Sequence, residues 1–493
     1  MLFSSMLFLW IFLPIVIIGN FALSIVNFKQ EETRIKAKNT FLLTASLIFY
    51  AWGNINYLFI MIASILLNYM GGILIHHEKK YKRGKLALII ALNLGILFIF
   101  KYFNMLVIII ESILSFEGNA FVLLQNMLSM KGTGELGLPY IVLPIGISFF
   151  TFQAMSYVVD VYFEKADVQH NLFDFALYVS FFPQLVAGPI VKYSDIAKQL
   201  KTRTETITMF VNGQKRFCYG IAKKVLLSNT FAEIADKIWG LETSSLGAGV
   251  AWLGILAYTL QIYYDFSGYS DMAIGIGKML GFEFKENFNY PYTSLSIQEF
   301  WRRWHISLSS WFREYVYIPL GGNRCGKVRT YINLFTVFFL TGIWHGANFT
   351  FLIWGLMYAF FMIIERLFLG EWLKRNPIKI INWIYCMFIV IIGWVFFRAD
   401  TVFQAVAYIQ QMFSGTSSYH TVISFLSMKV IVAFIVGILF AGCVQRLLQK
   451  SYEKVQYKLP VMICDLGIQI TGLVLSILLM VSGTYNPFIY FQF

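Results

Sequence analysis

One histidine in this sequence lies where a titratable side chain is unexpected. The stretch TGIWHGANFTFLIWG, from Thr341 to Gly355, contains His345 and no other titratable side chain. Burial away from water favours the neutral imidazole, which can take a proton at neutral pH. Such a base activates a hydroxyl group for attack on an acyl carbon. For this residue alone, a buried histidine that donates to a backbone carbonyl is an equally good interpretation.

A second histidine, His305, lies in the stretch FWRRWHISLSSWFREYVYIPLGGNR, from Phe300 to Arg324. The spacing predicts one helix that ends at Pro319 and Gly321-Gly322. That helix would have an aromatic face of Trp301, His305, Leu308 and Phe312, and a polar face of Arg302, Ser309 and Arg313. Composition alone favours an interfacial helix, in which His305 is only a hydrogen-bonded filler.

Polar residues interrupt apolar sequence throughout the middle of the chain, from about Leu138 to Trp354. Unpaired polar groups survive at membrane depth only when they pack inside protein or line a wet cavity, so we expect bent or re-entrant helices here. A structural role is the first interpretation of each one, because buried polar groups usually satisfy one another. The candidates for lining such a cavity, or for tying its helices together, are Gln153, Asp160, Asp265, Ser267, Asp271, Trp304, Trp344 and Asn348.

These residues must be positioned by a membrane-embedded scaffold. The chain has 493 residues, of which 58% are apolar and 13% charged, and eight apolar runs are long enough to cross a bilayer. The net charge of +13 comes from short basic loops between these runs, which is typical of cytoplasmic loops rather than of nucleic-acid binding. We expect roughly 11 or more transmembrane helices, with re-entrant and interfacial helices, in a single unit spanning residues 1–493.

The basic loops also predict orientation. The first apolar run is followed by a basic loop at residues 29–38, so the N-terminus is expected outside and the protein in the cytoplasmic membrane. The same rule makes the sequence around His345 a hairpin turn that points toward the outer half of the bilayer. The alternating basic and apolar segment at residues 206–239 predicts interfacial amphipathic helices that anchor to the surface, with a binding site for a soluble partner as the alternative.

Other nucleophilic or cofactor-binding machinery is not evident. No nucleophile elbow, phosphate loop or dinucleotide fingerprint occurs, and the five cysteines have no metal-ligand or disulfide pattern. We therefore expect no bound cofactor and no metal. Acyl transfer assisted by one base is the simplest chemistry that these residues support.

The sequence also resembles a known family, the membrane-bound O-acyltransferases, in its bacterial envelope-acetylating branch. The resemblance runs from about the first apolar run to Phe493 and is carried by LPIGISFFTFQAMSYVVDVY, FFPQLVAGPIV, YYDFSGYSDMAIGIGKMLGF, the two histidine stretches, GWVFFRAD and PFIYFQF. It implies helices ringing a central funnel or tunnel, with a catalytic core at about residues 138–370. It also implies that His345 is the catalytic base and that His305 orients or polarises a reacting group.

The resemblance further implies an acyl donor on the cytoplasmic side, either acetyl-coenzyme A or an acylated carrier protein. The expected acceptor is a cell-envelope polysaccharide, reached directly or through an extracytoplasmic esterase-like partner. Two alternatives stay open. One is D-alanyl transfer from a carrier protein to teichoic acid, and the other is a solute or ion transporter with broken helices at the bilayer midplane.

Overall fold

The computed structural model describes residues 1–77, 80–114, 143–186, 188–415, 420–456, 458–483 and 485–489. Every regular element within these ranges is helical, which confirms the predicted all-α class. The predicted start of the catalytic core, at residue 138, lies outside the described residues. The α-helices are α1 Leu13–Ile25, α2 Glu31–Ala51, α3 Ile55–His77, α4 Lys82–Leu114, α5 Ile147–Tyr162, α6 Leu172–Ser180, α7 Phe182–Leu185, α8 Tyr193–Lys201, α9 Ile207–Ala222, α10 Asn229–Trp239, α11 Ala248–Met279, α12 Ile297–Arg303, α13 Ile306–Phe312, α14 Lys327–His345, α15 Phe349–Ile364, α16 Gly370–Arg375, α17 Lys379–Arg398, α18 Val402–Met412, α19 Met428–Ile438, α20 Val444–Val455 and α21 Leu459–Ser482.

Seven helical stretches of the described chain are long and apolar enough to cross a membrane. The chain is therefore an integral membrane protein. Roughly 11 or more spans, and re-entrant helices, stay a prediction. Of the eight apolar runs in the sequence, the one at residues 250–266 lies in α11, outside these seven. The seven stretches are Phe8–Ile25, Ile55–His77, Lys82–Phe103, Phe349–Arg375, Lys379–Arg398, Met428–Leu448 and Leu459–Ser482.

Apolar side chains cover the outward faces of the spanning helices. Ile18, Phe59, Leu88, Ile435 and Ile468 are all exposed, although each belongs to a class of residue that soluble proteins bury. Exposed apolar surface on this scale is stable only against lipid hydrocarbon. The polar interior of the molecule is thus surrounded by a lipid-facing layer.

Helix α11 is an interior helix that runs without a break through its acidic residues. The acidic residues thus do not interrupt the helix, and a bent or re-entrant course stays a prediction. Its carboxylates are paired: Lys224 Nζ lies 2.6 Å from Asp265 Oδ1, and Asp271 accepts from Arg216 and Lys223 at 2.8 and 2.6 Å. A paired carboxylate can stay buried on a regular helix, so the backbone does not need to unwind.

The cations that pair with α11 come from the segment at residues 206–239, which forms α9, a helical turn at Lys223–Ser228 and α10. It is helical, as predicted, and one of its faces packs against α11; its position at the bilayer surface stays a prediction. A Cβ atom on Gly220 of α9 would lie 2.7 Å from the carbonyl oxygen of Gly268 in α11. The two backbones approach so closely because both residues are glycine.

The stretch from Phe300 to Arg324 is not the single helix that its spacing predicts. It divides into α12 and α13, and His305 between them has a left-handed backbone, with φ of 45°. Backbone hydrogen bonds with the segment before α12 stabilise the break: Ile306 N donates to Asn287 O at 2.9 Å, and Asn289 N donates to Arg303 O at 2.9 Å. Tertiary hydrogen bonds thus replace the helical ones that the break removes.

Helices α14 and α15 form the helical hairpin that the basic flanks predict, with the turn at His345. The two helices touch through glycines. A Cβ atom on Gly355 would lie 2.5 Å from Phe338 O and 3.0 Å from the Cα of Gly342, and one on Gly342 would lie 2.6 Å from Phe351 O. The position of the turn therefore depends on the absence of side chains at both glycines.

We expect Gly355→Ala to destabilise the protein by about 1–3 kcal/mol, because the new methyl group meets backbone that has no room to move. The midpoint of thermal unfolding in detergent measures the effect. Gly467→Ala, in the lipid-facing helix α21, is the matched control, since a Cβ atom there meets nothing within 4 Å. Equal midpoints for the two variants would contradict the close contact between α14 and α15.

Candidate active site

His345 is the last residue of α14, directly before the turn. Gly346 continues in an extended conformation, and Asn348 caps α15 by accepting a hydrogen bond from Thr350 N at 3.1 Å. The Asn348 amide also donates to Asp400 O at 2.7 Å. Asn348 therefore fixes the turn itself, and its contacts are those of a structural residue.

The imidazole of His345 lies in an aromatic chamber, and the residue is 4% exposed. Its ring centroid is 4.9 Å from those of Trp344 and Trp354 and 5.1 Å from that of Phe397. In the described part of the chain its Nδ1 atom has no hydrogen-bond partner. Apolar walls of this kind disfavour the charged imidazolium, so the ring is kept neutral and able to accept a proton.

His305 reaches the same chamber from the break between α12 and α13, and it is 1% exposed. Its ring centroid is 6.0 Å from that of Trp344 and 4.6 Å from that of Phe266 on α11. Trp344 therefore touches both histidines. The structure thus brings together the two residues that the sequence singles out, although they are 40 positions apart.

The hydrogen bonds around Asn287 determine the tautomer of His305. Asn287 Oδ1 accepts from Ser307 N at 3.2 Å, and a backbone N–H can only donate, so the atom facing it is the amide oxygen. The same oxygen lies 3.2 Å from His305 Nδ1 and can only accept, so we assign the ring proton to Nδ1, the tautomer that makes this contact a hydrogen bond. In the neutral ring, Nε2 then carries the lone pair, and within the described residues it has no partner. Asn287 was missed in the sequence, because only its contact with His305 distinguishes it.

Three indole groups near the histidines also lack acceptors. The Nε1 atoms of Trp301, Trp344 and Trp354 are buried and have no hydrogen-bond partner within the described residues. Trp354 connects Trp301 to His345, since its ring centroid lies 5.7 Å from that of Trp301 and 4.9 Å from that of His345. Trp304 belongs to the wall behind them, 4.9 Å from Trp394. The chamber therefore offers unused donors and unused acceptors, which a polar substrate could satisfy.

A cavity of about 230 Å³ adjoins this chamber through Trp301. Its lining includes Arg302, Ser309 and Arg313 from the predicted polar stripe, together with Arg366 and Thr341. Thr341 precedes His345 by one helical turn, so both lie on one face of α14. A wider cavity of about 490 Å³ shares Arg366 with the first and adds Lys374 and Lys379. Arginines grouped in this way suit a phosphate-bearing ligand.

The remaining candidates lie in the scaffold. Asp160 accepts from Tyr315 OH at 2.9 Å and from Ser194 N at 3.3 Å, which ties α5 to two neighbouring segments. Asp265 and Asp271 are held in the ion pairs of α11. The Gln153 amide and the Ser267 hydroxyl are buried without partners in the described part of the chain. Among the described residues, none of these five side chains forms a hydrogen bond or ion pair with either histidine.

No group of three or more His, Cys, Asp or Glu side chains in the described ranges is arranged to hold a metal ion. The arrangement consists instead of two neutral imidazoles, aromatic walls and an arginine-lined entrance. Arginine side chains of this kind can bind phosphate, and a neutral imidazole can accept a proton.

Comparisons with known proteins agree with this site. A model of the membrane-bound O-acyltransferase family matches residues 96–403, which include both histidines. A probable alginate O-acetylase of Pseudomonas aeruginosa is 43% identical over 417 residues, covering 84% of this chain and 75% of the relative. Its counterpart in Pseudomonas putida is 39% identical over 517 residues and covers 100% of both chains. A peptidoglycan O-acetyltransferase of Helicobacter pylori is 36% identical over 455 residues, covering 85% of this chain and 81% of the relative. The chain therefore belongs to the membrane-bound O-acyltransferase family and is an acyltransferase.

Proposed function

We propose that this acyltransferase takes an acetyl group from a cytoplasmic thioester and delivers it across the membrane to a cell-envelope polysaccharide. The acceptor hydroxyl approaches from the outer side, either on the polymer or on an extracytoplasmic esterase-like partner. The observation that carries the proposal is the meeting of His345 and His305 at Trp344, beside an arginine-lined cavity. Relatives named as O-acetylases of alginate and of peptidoglycan support acetyl as the group and a polysaccharide as the acceptor.

The donor site is the cavity lined by Arg302, Arg313 and Arg366. Acetyl-coenzyme A and the pantetheine arm of an acylated carrier protein both carry phosphate next to a long thioester arm. Arginine binds phosphate by charge-assisted, often bidentate, hydrogen bonds. With the phosphate held there, the arm extends past Trp301 and Thr341 toward His345. The orientation predicted from the basic loops makes this entrance cytoplasmic.

His345 is the general base of the reaction. It removes the proton from the acceptor hydroxyl as the oxygen bonds to the acetyl carbon. The carbon–sulfur bond then breaks, and the leaving thiolate takes the proton back from the imidazolium. The ring is thus regenerated and no net charge is left in the apolar chamber, which is the form of catalysis that an enclosed base permits.

His305 orients the acceptor. Because Asn287 holds the proton on Nδ1, the free Nε2 atom can accept a hydrogen bond but cannot donate one to a carbonyl oxygen. Of the two roles that the resemblance allows, orienting a hydroxyl therefore fits this ring, and polarising the thioester does not. The unpaired indole N–H groups of the chamber polarise the thioester carbonyl instead, because they can donate hydrogen bonds to the oxyanion that forms.

We expect His345→Ala to lower acetyl transfer by about 10²- to 10⁴-fold, the range that a general base supplies. The measurement follows labelled acetyl groups from the donor into ester linkage on envelope polysaccharide. His170→Ala, which changes an exposed histidine outside the chamber, is the control. A folded, membrane-inserted His345→Ala protein with wild-type transfer would remove His345 from the mechanism.

We expect Asn287→Leu to lower kcat by about 10- to 100-fold, the loss that misplacing a catalytic group by about 1 Å produces. The variant frees the His305 ring to rotate and to change tautomer. In the double variant with His305→Ala, the Asn287 substitution should cause no further loss, because the two residues act as one unit. Ser270→Ala is the control, since it removes the 2.9 Å bond on the other side of Asn287 without touching His305. Additive losses in the double variant would refute the coupling.

We expect Arg366→Met to raise the KM for acetyl-coenzyme A about tenfold or more, because a charged hydrogen bond contributes about 1.5–3 kcal/mol. The KM for a short acetyl thioester without phosphate should not change. Arg375→Met is the control, since Arg375 is exposed and lines neither cavity. An equal rise in KM for both thioesters would show that Arg366 does not bind the phosphate of the donor.

A further inference from the structure

Helix α4 touches the end of α14 at the point where His345 begins the turn. Lys101 Nζ donates a hydrogen bond to Trp344 O, and Tyr102 OH donates one to Ile343 O. Lys101 also lies 3.4 Å from Ser148 Oγ at the start of α5, and its amine is 5.7 Å from the centre of the Trp344 ring. One side chain therefore joins α4, α5 and α14 beside the active site.

The position of Lys101 needs a physical explanation. It lies within the apolar stretch Lys82–Phe103, where a lysine is costly to keep. Among the residues that the structure describes, no carboxylate forms an ion pair with it. Its partner is instead the carbonyl end of α14, where the last carbonyls lack helical donors and the helix dipole favours a cation.

The contact with Trp344 gives this interaction a link to catalysis. Lys101 holds Trp344 both by its carbonyl oxygen and near the face of its ring. The same ring lies 4.9 Å from His345 and 6.0 Å from His305. A shift of Trp344 would therefore change the separation of the two imidazoles, while a cavity near Arg366 would stay as it is.

We propose that Lys101 is a positioning residue. It fixes the position of Trp344 and thereby the separation of the two histidine rings that proton transfer requires. The proposal rests on the proposed function, because it assigns Lys101 a part in the same acetyl transfer. Among the described residues Lys101 forms no hydrogen bond with either histidine, and its contacts beside the chamber are with Trp344. Tyr102 provides an internal comparison, because it caps the same helix end one carbonyl earlier, at Ile343.

The test compares four variants of the full-length protein in proteoliposomes. Lys101→Met removes the charge and the hydrogen-bond donor with little change of shape, and Lys101→Arg restores both. Tyr102→Phe removes only the neighbouring cap at Ile343. Lys82→Met removes a cation from the other end of α4. For Lys101→Met we expect kcat to fall about 10- to 100-fold, as for a misplaced catalytic group. The KM for acetyl-coenzyme A should stay within about twofold, because the donor cavity is unchanged.

Lys101→Arg should recover most of the lost kcat, whereas Tyr102→Phe and Lys82→Met should keep kcat near that of the wild type. The midpoint of thermal unfolding is measured for all four, because a purely structural cap would lower stability in Lys101→Met and Tyr102→Phe alike. The proposal is overturned if Lys101→Met keeps wild-type kcat, or if its loss of kcat is matched by Tyr102→Phe with an equal loss of stability. If the wild-type protein shows no acetyl transfer, the proposed function is refuted instead. If Trp344 has the same position in the structure of Lys101→Met as in the wild type, the positioning role is refuted independently of activity.

Discussion

Polar groups removed from water must find partners within the protein, and this constraint organises the whole interior. The carboxylates of α11 meet it through ion pairs, since Asp265 and Asp271 each lie next to cations from the neighbouring segment. The chamber around His345 meets it only in part. Its imidazole and indole nitrogens include atoms that the described residues leave unpaired, and an unpaired buried polar atom costs free energy. The ion pairs hold α11 in place, whereas the unpaired nitrogens of the chamber are available to a substrate.

Contacts with α11 also connect distant parts of the chain to the chamber. Asp265 pairs with Lys224 and accepts from Ile489 N at 2.9 Å, so the end of the described chain is tied to the middle of α11. Phe3, from the beginning of the chain, stacks on Tyr269 with ring centres 4.4 Å apart. Helix α11 in turn supports His305 through Phe266. Packed rings therefore connect the ion-paired helix α11 to the site, through Phe266 and His305.

Sequence periodicity predicted the parts of this structure that local physics decides. Long apolar runs and basic loops gave the all-helical class, seven of the spanning helices and the hairpin turn at His345. Periodicity could not detect the break at His305, because the apolar spacing continues through it and the cause is a contact with Asn287. It could not detect the unbroken course of α11 either, because the cations that pair with its carboxylates come from another helix. Both features depend on tertiary contacts, which a window of sequence does not contain.

The two histidines are chemically alike, and their surroundings suit them to different tasks. A residue that orients a hydroxyl must keep one tautomer, and His305 is bound to an oxygen that already accepts a backbone N–H. A general base must instead gain and lose a proton in every cycle, so a fixed partner that prefers one protonation state would raise the barrier of one step. His345 is surrounded by aromatic rings on three sides, and its Nδ1 atom has no such partner among the described residues. The division of labour that we propose thus follows from what each ring is bonded to, with proton transfer at the ring at the tip of the hairpin.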